Sequence, residues 1–474
     1  MYPPDDQRAA TMTDSEEDEP LLPLEVGERG SDKVQRTPLP RFQLSILLYL
    51  VFCQGAALNS IYPFENELLL RFAAGDEGKV AYYASIMDAC RYFAGLFPVL
   101  FLSRASDYLG RKPILILSLT TMAVSTFLLG VSTKFWEIVA SFLSNIEATV
   151  KTSIGEITDE TNRADAFAPI LIPLTFGGST GSLISGYLAN PVERFPRLFH
   201  GRLWHKFPYL LPCGASSLIC FIGLLVVCFW FRETLQYRDG RTSRNSGINF
   251  TKLMPMRTLL TPRVLLTGAM DIAFSFFQSS FSSLQPLFLG IPISDGGFGF
   301  QPLEIGSLLF VYGLVSSFVT AFSMGPLVRK FGLRAVLTAA CISYIPMFLL
   351  VPLINSFAKD WVLTSSGSSH ILMWAFLFLL YVSFCINGFG YSCLSLYITS
   401  SAPNKQSLGS INGMMQVPTS LSRLVGSSFA TFMLGLSIRK EWMGGYAVYY
   451  VLGFMACGCV VLVTRLPRDG WSNM

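Results

Sequence analysis

Two short polar islands, one in each half of the chain, constrain this sequence more than any other feature. The first, Ser103-Arg104-Ala105-Ser106-Asp107-Tyr108-Leu109-Gly110-Arg111-Lys112-Pro113, separates two long apolar runs. The second, Gly325-Pro326-Leu327-Val328-Arg329-Lys330-Phe331-Gly332-Leu333-Arg334, repeats its layout. In both, a small residue leads, a charged residue follows four on, a glycine three after that, and a base two later. Islands matched in this way are what a chain built from two like membrane halves shows.

The chemistry of the first island is readable on its own. Arg104, Arg111 and Lys112 are costly to carry through lipid, so they hold the turn on the cytosolic side. Gly110 allows a tight reversal, and Pro113 suits the first turn of the next helix. Asp107 can accept hydrogen bonds from a helix N-terminus or pair with a base. A single copy would read as an ordinary basic loop; the second copy in register argues against that.

Composition points the same way. Of 474 residues, 51% are hydrophobic and 14% charged, which suits a polytopic membrane protein and would leave a soluble one hard to keep in solution. The formal charge of +4 is small and gives no sign of a nucleic-acid surface. The ten cysteines all lie in apolar runs, with neither a disulfide framework nor metal spacing.

The islands resemble the major facilitator superfamily, whose signature between helices 2 and 3 reads Gly-x-x-x-Asp-x-x-Gly-Arg-Lys/Arg. Here Ser103 replaces the leading Gly, while Asp107, Gly110, Arg111 and Lys112 match. Further stretches resemble the zinc-induced-facilitator-like carriers of the drug:proton antiporter branch. They are 151–159, Phe207-Pro208-Tyr209-Leu210-Leu211-Pro212, Gly296-Gly297-Phe298-Gly299-Phe300 and Leu408-Gly409-Ser410-Ile411-Asn412-Gly413. The resemblance implies an all-α membrane protein of twelve transmembrane helices in two pseudo-symmetric six-helix bundles. It also implies a gating role for the islands through Asp107, Gly110, Arg111, Lys112, Arg329, Gly332 and Arg334. Two departures stand out. In helix 5, Gly177 and Gly181 match the branch pattern, but Ser182 replaces Pro and Ser185 replaces Gly. Helix 4 is short, with Ser144-Asn145 at the expected Gly-Asn and no matching Arg.

Along the chain, residues 1–41 read as a disordered acidic cytosolic tail, without the apolar core of a signal peptide. Within it, Glu17, Leu21 and Leu22 resemble an acidic dileucine signal read by clathrin adaptors, which would deliver the protein to a vacuolar or lysosomal membrane; a solvated acidic tail is the plainer reading. Residues 42–231 read as the first bundle, 232–263 as a basic cytosolic linker, 264–464 as the second bundle, and 465–474 as a cytosolic tail. Helix 1 is expected over Phe42–Phe64 and helix 9 over Leu333–Phe357. One loop, with Arg194, Arg197, Arg202 and Lys206 between helices 5 and 6, runs against the positive-inside bias.

Charges inside the apolar runs are the candidate working parts. An ionisable residue at mid-membrane costs from a few to ten or more kcal/mol, and so has a partner or a function. Asp88 and Arg91 lie three apart, and Glu147 and Lys151 four apart, so each pair shares a helix face and can be a local self-neutralising pair. Asp271 and Arg423 have no neighbour of opposite sign in sequence and need a partner from another helix or a wet cavity. A carboxylate shielded from water takes up a proton more readily, so Asp271, then Glu147 and Asp88, are the proton-coupling candidates. Gln54, Asn59, Gln278, Gln285 and Asn387 can hydrogen-bond a substrate in an apolar cavity, or simply tie helices together. Arg423 suits either an anion or an interhelix pair. The three histidines, His200, His205 and His370, offer no metal spacing. Neither a cofactor motif nor a nucleophile–base pattern is present.

The expected function is transmembrane transport of a small organic solute by alternating access, as proton-coupled export or vacuolar loading. A relative that has kept the fold but serves as a receptor or scaffold is the alternative.

Overall fold

The computed structural model describes residues 40–73, 75–140, 150, 153–154, 157, 170–234, 261–364, 367–401 and 408–468. Its helices are α1 (Arg41–Asn59), α2 (Glu65–Phe72), α3 (Glu77–Leu109), α4 (Arg111–Val131), α5 (Phe135–Ala140), α6 (Leu171–Leu188), α7 (Pro191–Arg194) and α8 (Arg202–Lys206) in the first half. That half ends with α9 (Leu210–Trp230). The second half comprises α10 (Pro262–Gly290), α11 (Pro302–Phe331), α12 (Leu333–Ile342), α13 (Tyr344–Thr364), α14 (Gly367–Ser401), α15 (Leu408–Arg439) and α16 (Ala447–Val463). No strand occurs among the described residues.

Eight stretches of the described residues are long and apolar enough to cross a bilayer: α1 through α2, α4, α9, α10, α11, α12 through α13, α14 and α15. The long helix α3 and the shorter α6 and α16 stand beside them, and the continuation of α5 past Ala140 lies outside the described residues. Residues 1–39, 235–260 and 469–474, which hold most of the expected tails and linker, lie outside the described residues. So do Glu17, Leu21 and Leu22, and Glu147 with Lys151.

The two islands build the same turn twice. Gly110 (φ 99°, ψ 162°) ends α3 and starts α4; Gly332 (φ 83°, ψ 157°) ends α11 and starts α12. This backbone region is open essentially to glycine alone. The N-terminus of each following helix is satisfied by the chain leaving the last helix of its half. After α9, the Glu233 carboxylate accepts the N–H groups of Arg111 (2.8 Å) and Lys112 (3.0 Å). After α16, the Arg468 carbonyl accepts the Arg334 N–H (3.1 Å), and the Leu466 carbonyl accepts its guanidinium (3.2 Å). Phe231 and Leu466, just before these caps, are both buried. A helix N-terminus leaves its first N–H groups without intrahelical partners, and each half solves that problem with its own last segment.

The first span differs from expectation. It does not end at Phe64: α1 stops at Asn59, the chain tightens into a 3-10 turn at Tyr62–Phe64, and α2 carries on to Phe72. Pro63 supplies no N–H to the ladder, so the helix tightens and shifts. Leu68 and Leu69 then rejoin the core, and Glu65 and Asn66 are buried with them. The ninth span is likewise two segments that meet at Ser343 and reach Thr364. Pro346 cannot donate to the Ile342 carbonyl, which breaks the ladder there.

The Gly296–Phe300 turn folds back on the end of α10. The N–H groups of Phe298, Gly299 and Phe300 donate to the carbonyls of Phe288, Ile291 and Leu289, each at 2.8 Å. Asn355 of α13 donates to the carbonyls of Ile293 and Gly297 and accepts from the Tyr446 hydroxyl. Arg194, one of the bases in the loop that defies the charge bias, donates to the carbonyls of Gly186 and Tyr187, both at 3.0 Å. It caps the C-terminal end of α6, where a cation is favoured.

Candidate functional site

The halves meet along two pseudo-equivalent seams, α3 on α15 and α6 on α11. Small residues make the approach possible. At Gly306 a Cβ would stand 2.5 Å from the Ser182 carbonyl and 3.0 Å from Gly186 Cα. The Thr175 and Ser317 hydroxyls are 2.5 Å apart, and the Ser85 hydroxyl donates to the Ser428 carbonyl at 3.0 Å. At the same end Gly290 of α10 packs against Asn66 of α2. Beyond Ser317, α11 carries the exposed rings of Phe318, Phe322 and Phe331 toward the second glycine turn. Most of the described bridging contacts therefore join the halves at the end away from the twin turns, while Thr175–Ser317 lies at the middle of α11.

Buried charge gathers along the α3–α15 seam. Asp88 sits a third of the way along α3 and is 1% exposed. Its carboxylate takes a charge-assisted hydrogen bond from Arg91 at 2.8 Å, the one-turn pairing that their spacing predicts. The Arg91 guanidinium also donates to the Tyr62 hydroxyl at 3.4 Å and lies over the rings of Tyr62 (5.5 Å) and Tyr92 (5.3 Å). Glu65, at the start of α2 and 2% exposed, faces the same guanidinium. Ser283 of α10 faces Asp88 from the other half.

Sequence reasoning missed Glu65 because Glu65-Asn66-Glu67 reads as a polar loop after a finished helix. The signal available was Leu68-Leu69-Leu70, which resumes the apolar run past Pro63.

The second charged group belongs to the other half. Asp271 of α10 accepts from the Thr419 hydroxyl of α15 at 2.5 Å, and Arg423, one turn further along α15, lies within electrostatic reach. Each thus finds its opposite charge on another helix. Around them α10 and α15 are fastened by Ser422 to the Ile272 carbonyl (2.7 Å) and Ser280 to the Gly426 carbonyl (2.9 Å). Arg423 also acts on Tyr92 across the seam, so the two charged groups adjoin.

The neutral polar candidates divide. Asn387 donates to the Ala340 carbonyl (3.1 Å) and Gln285 to the Tyr381 hydroxyl (3.0 Å), both ties inside the second half. The Asn59 carbonyl accepts from Ser182 (3.1 Å), tying α1 to α6. The helix-5 serine that departs from the antiporter pattern is thus spent on packing. Gln54 is buried with its Oε1 unpartnered, and Gln278 is half-buried on α10. Of the island residues, Arg111 is buried, Lys112 donates to the Cys228 carbonyl (3.0 Å), and Arg329 is exposed. Asp107 lies in the last turn of α3; its side chain is outside the described set.

Comparison with known proteins agrees with this architecture. The family model described as Major Facilitator Superfamily matches residues 44–427. An efflux pump of Aspergillus niger, azaK, is 25% identical over 96% of both chains. The Arabidopsis thaliana protein ZINC INDUCED FACILITATOR 1 is 23% identical over 60% of this chain and 63% of its own. The structure of the human organic anion transporter MFSD10 superposes with a TM-score of 0.58 at 17% identity, covering 90% of this chain and all of that one. The chain belongs to the Major Facilitator Superfamily, a family of transmembrane transporters.

Proposed function

We propose that the protein carries a small organic solute by alternating access, coupled to protons, as an exporter or a loader of an acidic compartment. The observation that carries this reading is the buried Asp88 of α3 with the half-buried Asp271 of α10 and Arg423 of α15, set where the two halves meet. Ionisable side chains at that depth are retained for ion or substrate pathways. In the proposed cycle the halves 42–231 and 264–464 rock about the two seams, joined by the 232–263 linker, while the twin turns at Gly110 and Gly332 act as equivalent gates at one end. Asp271 and Asp88 are the coupling candidates on described helices, and Glu147 is a third in the undescribed part of helix 4. Gln54 and Gln278 are the substrate-facing candidates. The relatives include an efflux pump and the fold is that of an organic anion transporter, which favours an organic solute over a bare metal ion. Delivery to a vacuolar or lysosomal membrane through adaptor recognition of Glu17, Leu21 and Leu22 completes the proposal.

The test is the purified protein in liposomes holding a pH-sensitive dye. Tetracycline, a lipophilic cation and an aromatic carboxylate are added in turn under an imposed pH gradient. Gradient-driven flux of one probe with matching proton movement is the expected result. No flux of any of them, with the fold intact, would leave the receptor or scaffold reading in its place.

A further inference from the structure

Glu65 is the buried carboxylate that the charge pattern leaves over. Asp88 holds Arg91 at 2.8 Å through one oxygen. Tyr62 and Tyr92, the other groups around the guanidinium, are neutral phenols. On α10, Ser283 is uncharged, and Asp271, more than three turns away, is offset by Arg423 of α15. On the outer face of α2, Glu67 is held by Asn190 (3.0 Å) and lies near Arg71. Two carboxylates thus lie within electrostatic reach of one guanidinium that, of the two, contacts only Asp88, and with both ionised the cluster would carry a net negative charge in a water-poor core. Such a site is relieved by taking up one proton.

A second observation says where that proton goes. Each carboxylate keeps one fully buried oxygen without a hydrogen-bond partner, Glu65 Oε2 and Asp88 Oδ2, but Asp88 takes the short charged bond through its other oxygen, whereas none reaches Glu65 among the described residues. A bare carboxylate oxygen in such a place is a costly acceptor; the acid form is not. The residues flanking Glu65, Pro63 and Asn66, line a cleft of about 460 Å³ between the halves, walled on the other side by Gly290, Pro302 and Ile305. The cleft lies at the end where the halves are joined, with Asn66, the next residue in sequence, in its wall and the buried Glu65 behind that wall.

We propose that Glu65 is the proton-carrying residue of this protein, loading from the cleft and discharging when Arg91 is released from Asp88 to become its counter-ion. The coupling part of this proposal rests on the transport reading above; the proton site itself does not.

The experiment has two arms on the full chain in lipid bilayers. Infrared difference spectra across a pH jump in deuterated and ordinary water should show the carbonyl stretch of an exchangeable, buried carboxylic acid at neutral pH. Glu65→Gln should remove that band, Glu65→Asp should move its frequency and midpoint, and Glu67→Gln should leave it in place. A band that survives Glu65→Gln, or stays put in Glu65→Asp, overturns the assignment. In the second arm, Glu65→Gln should lose pH-driven tetracycline flux at least tenfold while gradient-free exchange of the same probe persists. Undiminished pH-driven flux in that variant overturns the coupling role. If the wild-type protein moves no probe although the infrared assignment holds, the transport reading falls and the proton site stands. Thermal unfolding of Glu65→Asp alongside wild type shows that the altered band belongs to folded protein.

Discussion

The twin glycine turns make the sharpest demand on the chain, and Gly110→Ala tests it. At φ 99° and ψ 162° a non-glycine residue costs about 1–3 kcal/mol in backbone strain alone. The new methyl would also stand 2.6 Å from Glu233 Oε2 and displace the carboxylate that caps Arg111 and Lys112. Losing an exposed cap of this kind adds about 0.5–1 kcal/mol. Gly110→Ala should therefore destabilise by about 1.5–4 kcal/mol, and Gly332→Ala by about 1–3 kcal/mol from strain alone. The two costs at Gly110 are coupled, since alanine there already expels the carboxylate. Glu233→Ala should cost about 0.5–1 kcal/mol in the wild-type background and close to nothing on top of Gly110→Ala. The assay is thermal unfolding of the purified protein followed with a maleimide dye, which reacts as buried thiols such as Cys53, Cys213, Cys220 and Cys341 become exposed. A Gly110→Ala protein that melts with wild type, or a Glu233→Ala loss of equal size in both backgrounds, would refute the reasoning.

Three further outcomes are expected. Asp271→Asn should abolish pH-driven flux and leave expression intact, because it removes the counter-charge of Arg423; full coupling in that variant would remove Asp271 from the mechanism. Replacing both Thr175 and Ser317 by Cys, at hydroxyls 2.5 Å apart, should give a spontaneous cross-link that blocks flux and is reversed by reductant; unimpaired flux in the cross-linked protein would show that this seam does not open during transport. Leu21→Ala with Leu22→Ala should move a tagged protein from internal membranes to the cell surface, and unchanged staining would dismiss the sorting signal.

Much of the fold was legible because its causes are local. Hydropathy over twenty or so residues decides whether a segment enters a bilayer, but the breaks at Pro63 and Pro346 were not legible, since Pro286, Pro326, Pro352 and Pro418 sit inside helices that continue. The island repeat went further, since Gly110 and Gly332 answer to one backbone need wherever they occur. The Asp88–Arg91 pair was equally accessible, because three residues on a helix fix a shared face. The candidate site was legible only in this local part: the sequence named Asp271 and Arg423 as needing partners without being able to say they need each other.

What the sequence determined by itself is thus the set of spans, the twofold repeat and the short-range pairs, all governed by forces that act within a few turns of helix. The tertiary structure decided which charges meet. It set Glu65 beside a guanidinium already taken by Asp88, brought Thr419 and Arg423 of α15 to Asp271 of α10, and laid Glu233 and Arg468 on helices far back in the chain. Those choices depend on helix packing between segments tens to hundreds of residues apart, and a polar residue reads as loop or as core according to partners that only packing supplies.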